Sequence, residues 1–246
     1  MTLQNNNSFF KAAIFDFDGT LIDSLGVWDD IDKKSFAKRG LSVPDIFANT
    51  TAAMNPRQIA DYVIEHYGFS ESPEELMKEW SDMAFDAYAN HLPLRKGAYD
   101  YVKYLRSKKV KMFLITTLSK TLCDPALRRL NILDCFDFLQ FGEDLSKEGK
   151  HSYKTYVDIA ETLKVATKDC AVFEDSATAL NSAQQAGMKT YGIVDESCSK
   201  NDLDLPFRKC LEVFSNFEDA PKVDEVSHTP GFVAYTSAHG WPSISI

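Results

Sequence analysis

Short apolar runs alternate with amphipathic helical stripes along this chain, and that rhythm limits the fold more than any other feature. Residues 11–15, Lys-Ala-Ala-Ile-Phe, form the first run. Val110–Ile115, Cys170–Phe173 and Thr190–Val194 repeat it, and Phe136–Phe141 is a weaker copy. Runs this short suit strands buried on both faces of a sheet. Between them, Tyr99, Val102 and Leu105 line one helical face, and Tyr153, Tyr156, Val157, Ala160 and Leu163 line another. Asp124-Pro125 reads as the N-cap and first residue of a helix ending near Asn131. Strands alternating with helices imply right-handed crossovers, hence an α/β fold with a mainly parallel sheet.

Residues 26–93 break the rhythm. Ile59, Val63, Ile64 and Tyr67 form one helical stripe; Leu76, Trp80, Met83, Ala84, Ala87 and Tyr88 form a longer one. Pro73 followed by Glu74 and Glu75 is a good first turn, because the helix dipole favours acidic groups there. No convincing strand lies in this stretch. The expected organisation is an α/β core over 1–25 and 94–222, with a small all-α domain over 26–93 inserted after the first strand. Ser24–Gly26 and Leu92–Gly97 are hinge candidates. Residues 223–246 lack Lys and Arg and carry Phe232, Tyr235 and Trp241. A docked tail, an interface segment and a frayed terminus all fit them.

Composition narrows the function. With 27 Lys+Arg against 36 Asp+Glu, the formal net charge is −9. A chain that binds nucleic acid by neutralising phosphates is basic, so that class is disfavoured, as is binding to anionic lipid. No apolar run approaches the ~20 residues of a membrane span, and the start, Met-Thr-Leu-Gln, does not read as a signal peptide. Five cysteines without a Cys-x-x-Cys pair read as reduced thiols. A cytoplasmic monomer is the expectation.

The chemistry gathers at strand ends. Asp16 and Asp18 follow the first apolar run, two residues apart in an extended segment, so both face the crevice at the carboxyl edge of the sheet. Two facing carboxylates repel unless a cation or proton intervenes, and Mg²⁺ takes such hard oxygen ligands. Gly19 permits a sharp turn, although Asp-Gly-Thr is also ordinary turn chemistry.

Asp16-x-Asp18-Gly19-Thr20-x-x-Asp23-Ser24 resembles motif I of the haloacid dehalogenase superfamily. Thr116, after Val110–Ile115, resembles the motif II hydroxyl; Lys150 the motif III lysine; Glu174-Asp175 the acidic motif IV. The helical insert resembles the C1 cap of subfamily I, whose members include phosphatases and β-phosphoglucomutases. The resemblance implies a Rossmann-like core and Mg²⁺-dependent chemistry on a small phosphorylated metabolite. It implies Asp16 as nucleophile and Asp18 as general acid and base. Mg²⁺ would be held by the Asp16 carboxylate, the Asp18 carbonyl and Asp175. Thr116 and Lys150 would bind phosphate, and Glu174 would support metal-bound water.

This chain departs from the pattern in two places. Lys150-His151-Ser152-Tyr153 stands where Lys-Pro-x-Pro is common in the subfamily, and Lys147 and Lys154 are nearby alternatives to Lys150. Thr117 likewise competes with Thr116. Asp18 favours a phosphoester substrate, since a leaving alkoxide needs a proton and a halide does not. The main reading is a phosphatase. A sugar-phosphate mutase is the alternative, with Arg57 as holder of a second phosphate; Trp28, where mutases carry a histidine, weighs against it. A non-catalytic binding protein on the same fold is the third reading.

Overall fold

The computed structural model describes residues 10–51, 54–195, 198, 203–223 and 234–235. They form two compact units, one built from the residues up to Asp23 and from Pro93 onward, the other Ser24–Leu92. In chain order the elements are β1 (Ala12–Phe15), α1 (Val27–Ala37), α2 (Phe47–Thr51), α3 (Pro56–Tyr67), α4 (Pro73–Asp86), α5 (Ala98–Ser107), β2 (Lys111–Ile115) and α6 (Lys120–Arg129). Then come β3 (Phe138–Gln140), α7 (Tyr153–Leu163), β4 (Cys170–Glu174), α8 (Ala177–Gln185), β5 (Lys189–Ile193), α9 (Leu205–Arg208), β6 (Glu212–Phe214) and β7 (Ala234–Tyr235).

The first unit is built on a wholly parallel sheet in the order β6-β5-β4-β1-β2-β3-β7. β1 is central, with Phe15 level with Leu114 of β2 and Phe173 of β4. Strand alternation sends Ala12, Ile14, Phe113, Ile115 and Val172 to one face, where they pack on Tyr156, Ile159, Ala160 and Leu163 of α7. The opposite face carries an aromatic stack. Phe15 lies on Phe173 with centroids 4.6 Å apart, and Phe173 lies on Tyr191 at 4.9 Å. Tyr101 of α5 and Phe217 close over that stack. Both faces are therefore covered, which is why the strands read as continuous apolar runs rather than alternating ones.

Four features differ from, or go beyond, the sequence expectation. α6 begins at Lys120, five residues before Pro125, which lies inside the helix. The helix is held open-ended by Glu143, whose carboxylate accepts the Lys120 N–H at 3.0 Å, while Asp124 pairs with Arg128 one turn on instead of capping. β6 is an edge strand of three residues that no apolar run announced. Within the tail, Ala234–Tyr235 pair with β3, whereas Phe232 and Trp241 lie outside the described residues. Tyr153 of the α7 stripe is 55% exposed, and Ile159 takes its place in the core.

The second unit is all helical. Phe36, Phe47, Ala60, Val63, Phe69 and Leu76 make its core, and Phe36 meets both Phe47 and Phe69 edge-on at 5.1 Å. α3 and α4 start with capping boxes, Asn55 with Gln58 and Ser72 with Glu75, each with proline in the first turn. Such caps are worth ~1 kcal/mol apiece. Ser35 of α1, a polar residue buried inside a helix, is satisfied by Trp80 Nε1–H at 2.9 Å and by Arg39. Arg39 also pairs with Glu71 and Glu79. α4 runs into a π-helical turn, Ala87–His91. Among the described residues no helix is long and apolar enough to cross a membrane, and no disulfide is formed.

Candidate active site

The central position of β1 explains the site. The connection after β1 runs to β2 on one side and that after β4 runs to β5 on the other, and the crevice at such a switch point opens at the carboxyl ends of the strands. Asp16 follows β1, its N–H continuing the ladder to Phe173 O at 3.1 Å. Glu174 ends β4, Asp175 follows it, and Thr116 follows β2. Parallel register thus sets Asp16 level with Glu174, and Asp175 and Thr116 one residue farther along, at the same end of three neighbouring strands.

Asp16, Glu174 and Asp175 bring carboxylate oxygens within 4.8 Å of one another. Lys150 enters from the 3₁₀ turn Gly149–His151, with Nζ 2.9 Å from Asp16 Oδ1 and 2.9 Å from Glu174 Oε2. All three side chains are almost wholly buried. Lys154 is exposed and paired with Asp158, so Lys150 is the lysine at the cluster. Glu174 Oε1 also accepts the Ser176 N–H at 3.0 Å.

Burial, and then the neighbouring Glu174, hold the Asp16 carboxyl well above the ordinary range, against the pull of Lys150. Burial likewise raises Glu174. Burial alone would lower the Lys150 ammonium, but Asp16 and Glu174 overcome it and hold it well above normal. Asp16 and Glu174 thus share one ammonium, with the Asp175 carboxylate beside them, an arrangement rich in negative charge. Asp16 Oδ1, completely buried, accepts no aligned hydrogen bond among the described residues despite the nearby Lys150. Hard oxygen donors, surplus negative charge and an unspent lone pair on Asp16 suit a small divalent cation.

Local backbone makes the arrangement possible. Gly19 has φ +72°, and a Cβ there would lie 2.3 Å from Asp175 Oδ2. Thr20 Oγ1 donates to Asp175 Oδ1 at 2.8 Å, turning that carboxylate inward. The Gly19 carbonyl accepts from Arg95 Nε at 2.7 Å, and Arg95 also reaches Ser215 O at 3.4 Å. Nothing in the sequence around Arg95 announced this clamp.

The cavity so formed is about 170 Å³ and is lined by Asp16, Asp18, Lys150, His151, Glu174 and Asp175, with Thr117, Ser176 and Ala179. Thr116 is buried just behind, its hydroxyl accepting the Leu118 N–H at 3.2 Å. Arg57 belongs to the helical unit, where it is half exposed and engaged by Asp61 and Glu74.

Comparison with known proteins agrees with this geometry. A family model described as haloacid dehalogenase-like hydrolase matches residues 13–193. The phosphorylated carbohydrates phosphatase of Thermotoga maritima is 25% identical over 185 residues, covering 75% of this chain and 85% of the relative. The phosphoglycolate phosphatase of Chromobacterium violaceum is 26% identical over 212 residues, covering 80% and 93%. A crystal structure of a HAD hydrolase, family IA, variant 3, from Entamoeba histolytica shares the fold, with a TM-score of 0.68 at 21% identity over 85% of this chain and 94% of that one. Because the matched span runs from within β1 to the end of β5 and contains every residue of the carboxylate–lysine cluster, the chain belongs to the haloacid dehalogenase-like hydrolase family.

Proposed function

We propose that this chain is a Mg²⁺-dependent phosphatase that hydrolyses a small phosphorylated metabolite, such as a sugar phosphate, through an aspartyl-phosphate on Asp16. The observation that carries this reading is the convergence of Asp16, Glu174 and Asp175 with Lys150 around one small cavity. It is supported by the names of the relatives, which are phosphoric monoester hydrolases.

In this reading an Asp16 oxygen attacks phosphorus, and the bond to the ester oxygen breaks. Asp18, at the cavity wall, gives its proton to the departing alkoxide. Asp18 then takes a proton from water, whose oxygen attacks the same phosphorus, releasing inorganic phosphate and restoring Asp16. Lys150 keeps Asp16 oriented and offsets phosphoryl charge. Thr117, not the Thr116 that the motif suggested, lines the cavity and has a hydroxyl to offer a phosphoryl oxygen; Thr116 is fully buried behind it. The Asp16 and Asp175 carboxylates and the Asp18 carbonyl would hold Mg²⁺, with Glu174 behind them; when bound, the ion supplies compensation of the charge on phosphate and nucleophile.

A sugar-phosphate mutase is not favoured. The guanidinium that such a reading assigned to a second phosphate, Arg57, is already paired with two carboxylates. The test is phosphate release from a panel of phosphorylated metabolites with Mg²⁺ and with EDTA. Metal-dependent release, absent in Asp16→Asn, is expected; isomerisation of β-glucose 1-phosphate outrunning hydrolysis would reverse the assignment.

A further inference from the structure

The cavity, about 170 Å³, has the carboxylates and Lys150 in its wall, where the phosphate of a substrate would sit. The alcohol esterified to that phosphate would then meet the exposed residues of the lining.

Among the lining residues, Thr117, His151 and Ser176 are exposed. Ser176 is tied down, its N–H given to Glu174 and its position fixed at the start of α8. Thr117 carries a short hydroxyl beside the buried Thr116. His151 is different in reach and in freedom. Its imidazole makes no hydrogen bond or ion pair with any described residue, whereas its backbone is fixed on both sides. The His151 N–H donates to Glu148 O at 2.9 Å, and Thr155 Oγ1 donates to Gly149 O at 2.6 Å. A rigid turn thus holds an unengaged, two-nitrogen ring on the rim, next to the lysine that meets the nucleophile. It is also the point where this chain departs from Lys-Pro-x-Pro, a proline ring having no hydrogen-bonding atom to offer.

We infer that His151 determines specificity by hydrogen bonding a hydroxyl of the leaving alcohol next to the phosphoester, so that polyol and sugar phosphates are preferred over plain alkyl phosphates. This rests on the phosphatase reading above. The ring N–H donates to the substrate hydroxyl oxygen, or a bare ring nitrogen accepts its proton; either tautomer serves. A neutral hydrogen bond of this kind contributes roughly three- to tenfold in selectivity.

The experiment compares kcat/KM for sn-glycerol 3-phosphate and propyl phosphate, which match in length and differ in hydroxyls, in the wild-type chain, His151→Ala and His151→Asn. The wild type should prefer the glycerol ester by roughly three- to tenfold. His151→Ala should bring the ratio near one, and His151→Asn, which keeps a donor and an acceptor, should recover part of it. A ratio unchanged in His151→Ala, with both substrates slowed together, means a merely structural role and overturns the inference. Because the reading is a ratio, partial unfolding of a variant does not mask it. Failure of the wild type to hydrolyse any phosphoester overturns the phosphatase reading itself, a distinct result.

Discussion

Gly19 and Asp175 stand so close that a single added methyl on the glycine would lie 2.3 Å from the carboxylate oxygen. Asp175 is held inward by Thr20, so it cannot retreat without giving up that bond. Gly19→Ala therefore strains a backbone at φ +72° and pushes Asp175 off the cluster. The expected result is a loss of activity of at least a hundredfold, an order set by misplacing a reacting group by about 1 Å. Retained Mg²⁺ affinity by calorimetry would contradict the displacement.

Metal binding is readable without activity. A cation that binds the folded chain alone raises stability by ~2.7 kcal/mol at a hundred times its dissociation constant. Mg²⁺ should raise the melting temperature of the wild type, and Asp175→Asn should abolish that rise. An equal rise in both proteins would remove Asp175 from the donor set.

Asp18 and Asp16 carry different work in the proposed reaction, and leaving-group chemistry separates them. Asp18→Asn should slow hydrolysis of sugar phosphates by roughly 10²–10⁴-fold, the usual worth of general acid–base help. An aryl phosphate, whose phenolate departs unaided, should suffer far less. Equal losses for both esters would mean that another group supplies the proton.

Lys150→Met leaves Asp16 and Glu174 buried without their cation. Breaking a buried pair in this way costs ~3–5 kcal/mol at neutral pH. Burial raises both carboxyls in the folded chain, so protonation favours folding, and that contribution disappears as pH rises through the folded-state values. The deficit of the variant should therefore shrink from pH 8 to pH 5. Melting curves that differ by the same interval at both pH values would refute this.

Asp32, in α1, offers a second pH test away from the cluster. Burial, then Asp29 one turn earlier, push its carboxyl up from 3.8 to about 6. The folded state holds this proton more tightly than the unfolded chain does. Its contribution is complete below pH ~4 and is lost as pH rises through about 6. The gap bounds the effect at ~3 kcal/mol, and solvent around a partly exposed side chain reduces it to ~1 kcal/mol. Asp32→Asn should be the more stable protein at pH 8 and equal to the wild type at pH 4, by denaturant titration at each pH.

The sequence made β1, β2, β4 and β5 legible because strands buried on both faces must be apolar throughout, and the acidic residues after β1 and β4 stood out against those runs. Glu212-Val213-Phe214 did not, since an edge strand needs one neighbour and little burial. Asp124-Pro125 misled because capping chemistry is local, whereas the α6 start depends on Glu143 from beyond β3. Ser35 and Arg95 were unreadable for the same reason: each is explained by partners far along the chain. At the site, carboxylates and lysine were legible by motif; which threonine faces the cavity was a matter of side-chain direction at the end of β2.

The central place of β1 has a bearing on biosynthesis. The strand that Asp16 follows is made before its partners: both its neighbours, β2 and β4, are encoded after the entire helical unit. Ser24–Leu92 is contiguous and closes its own core, so it can collapse while β1 still waits without a partner. Long-range parallel pairing is slow because distant segments must meet before any contact forms. Through that interval an apolar strand followed by two aspartates stays unprotected, which makes the N-terminal segment the point where a nascent chain of this design is most open to chaperone capture or aggregation.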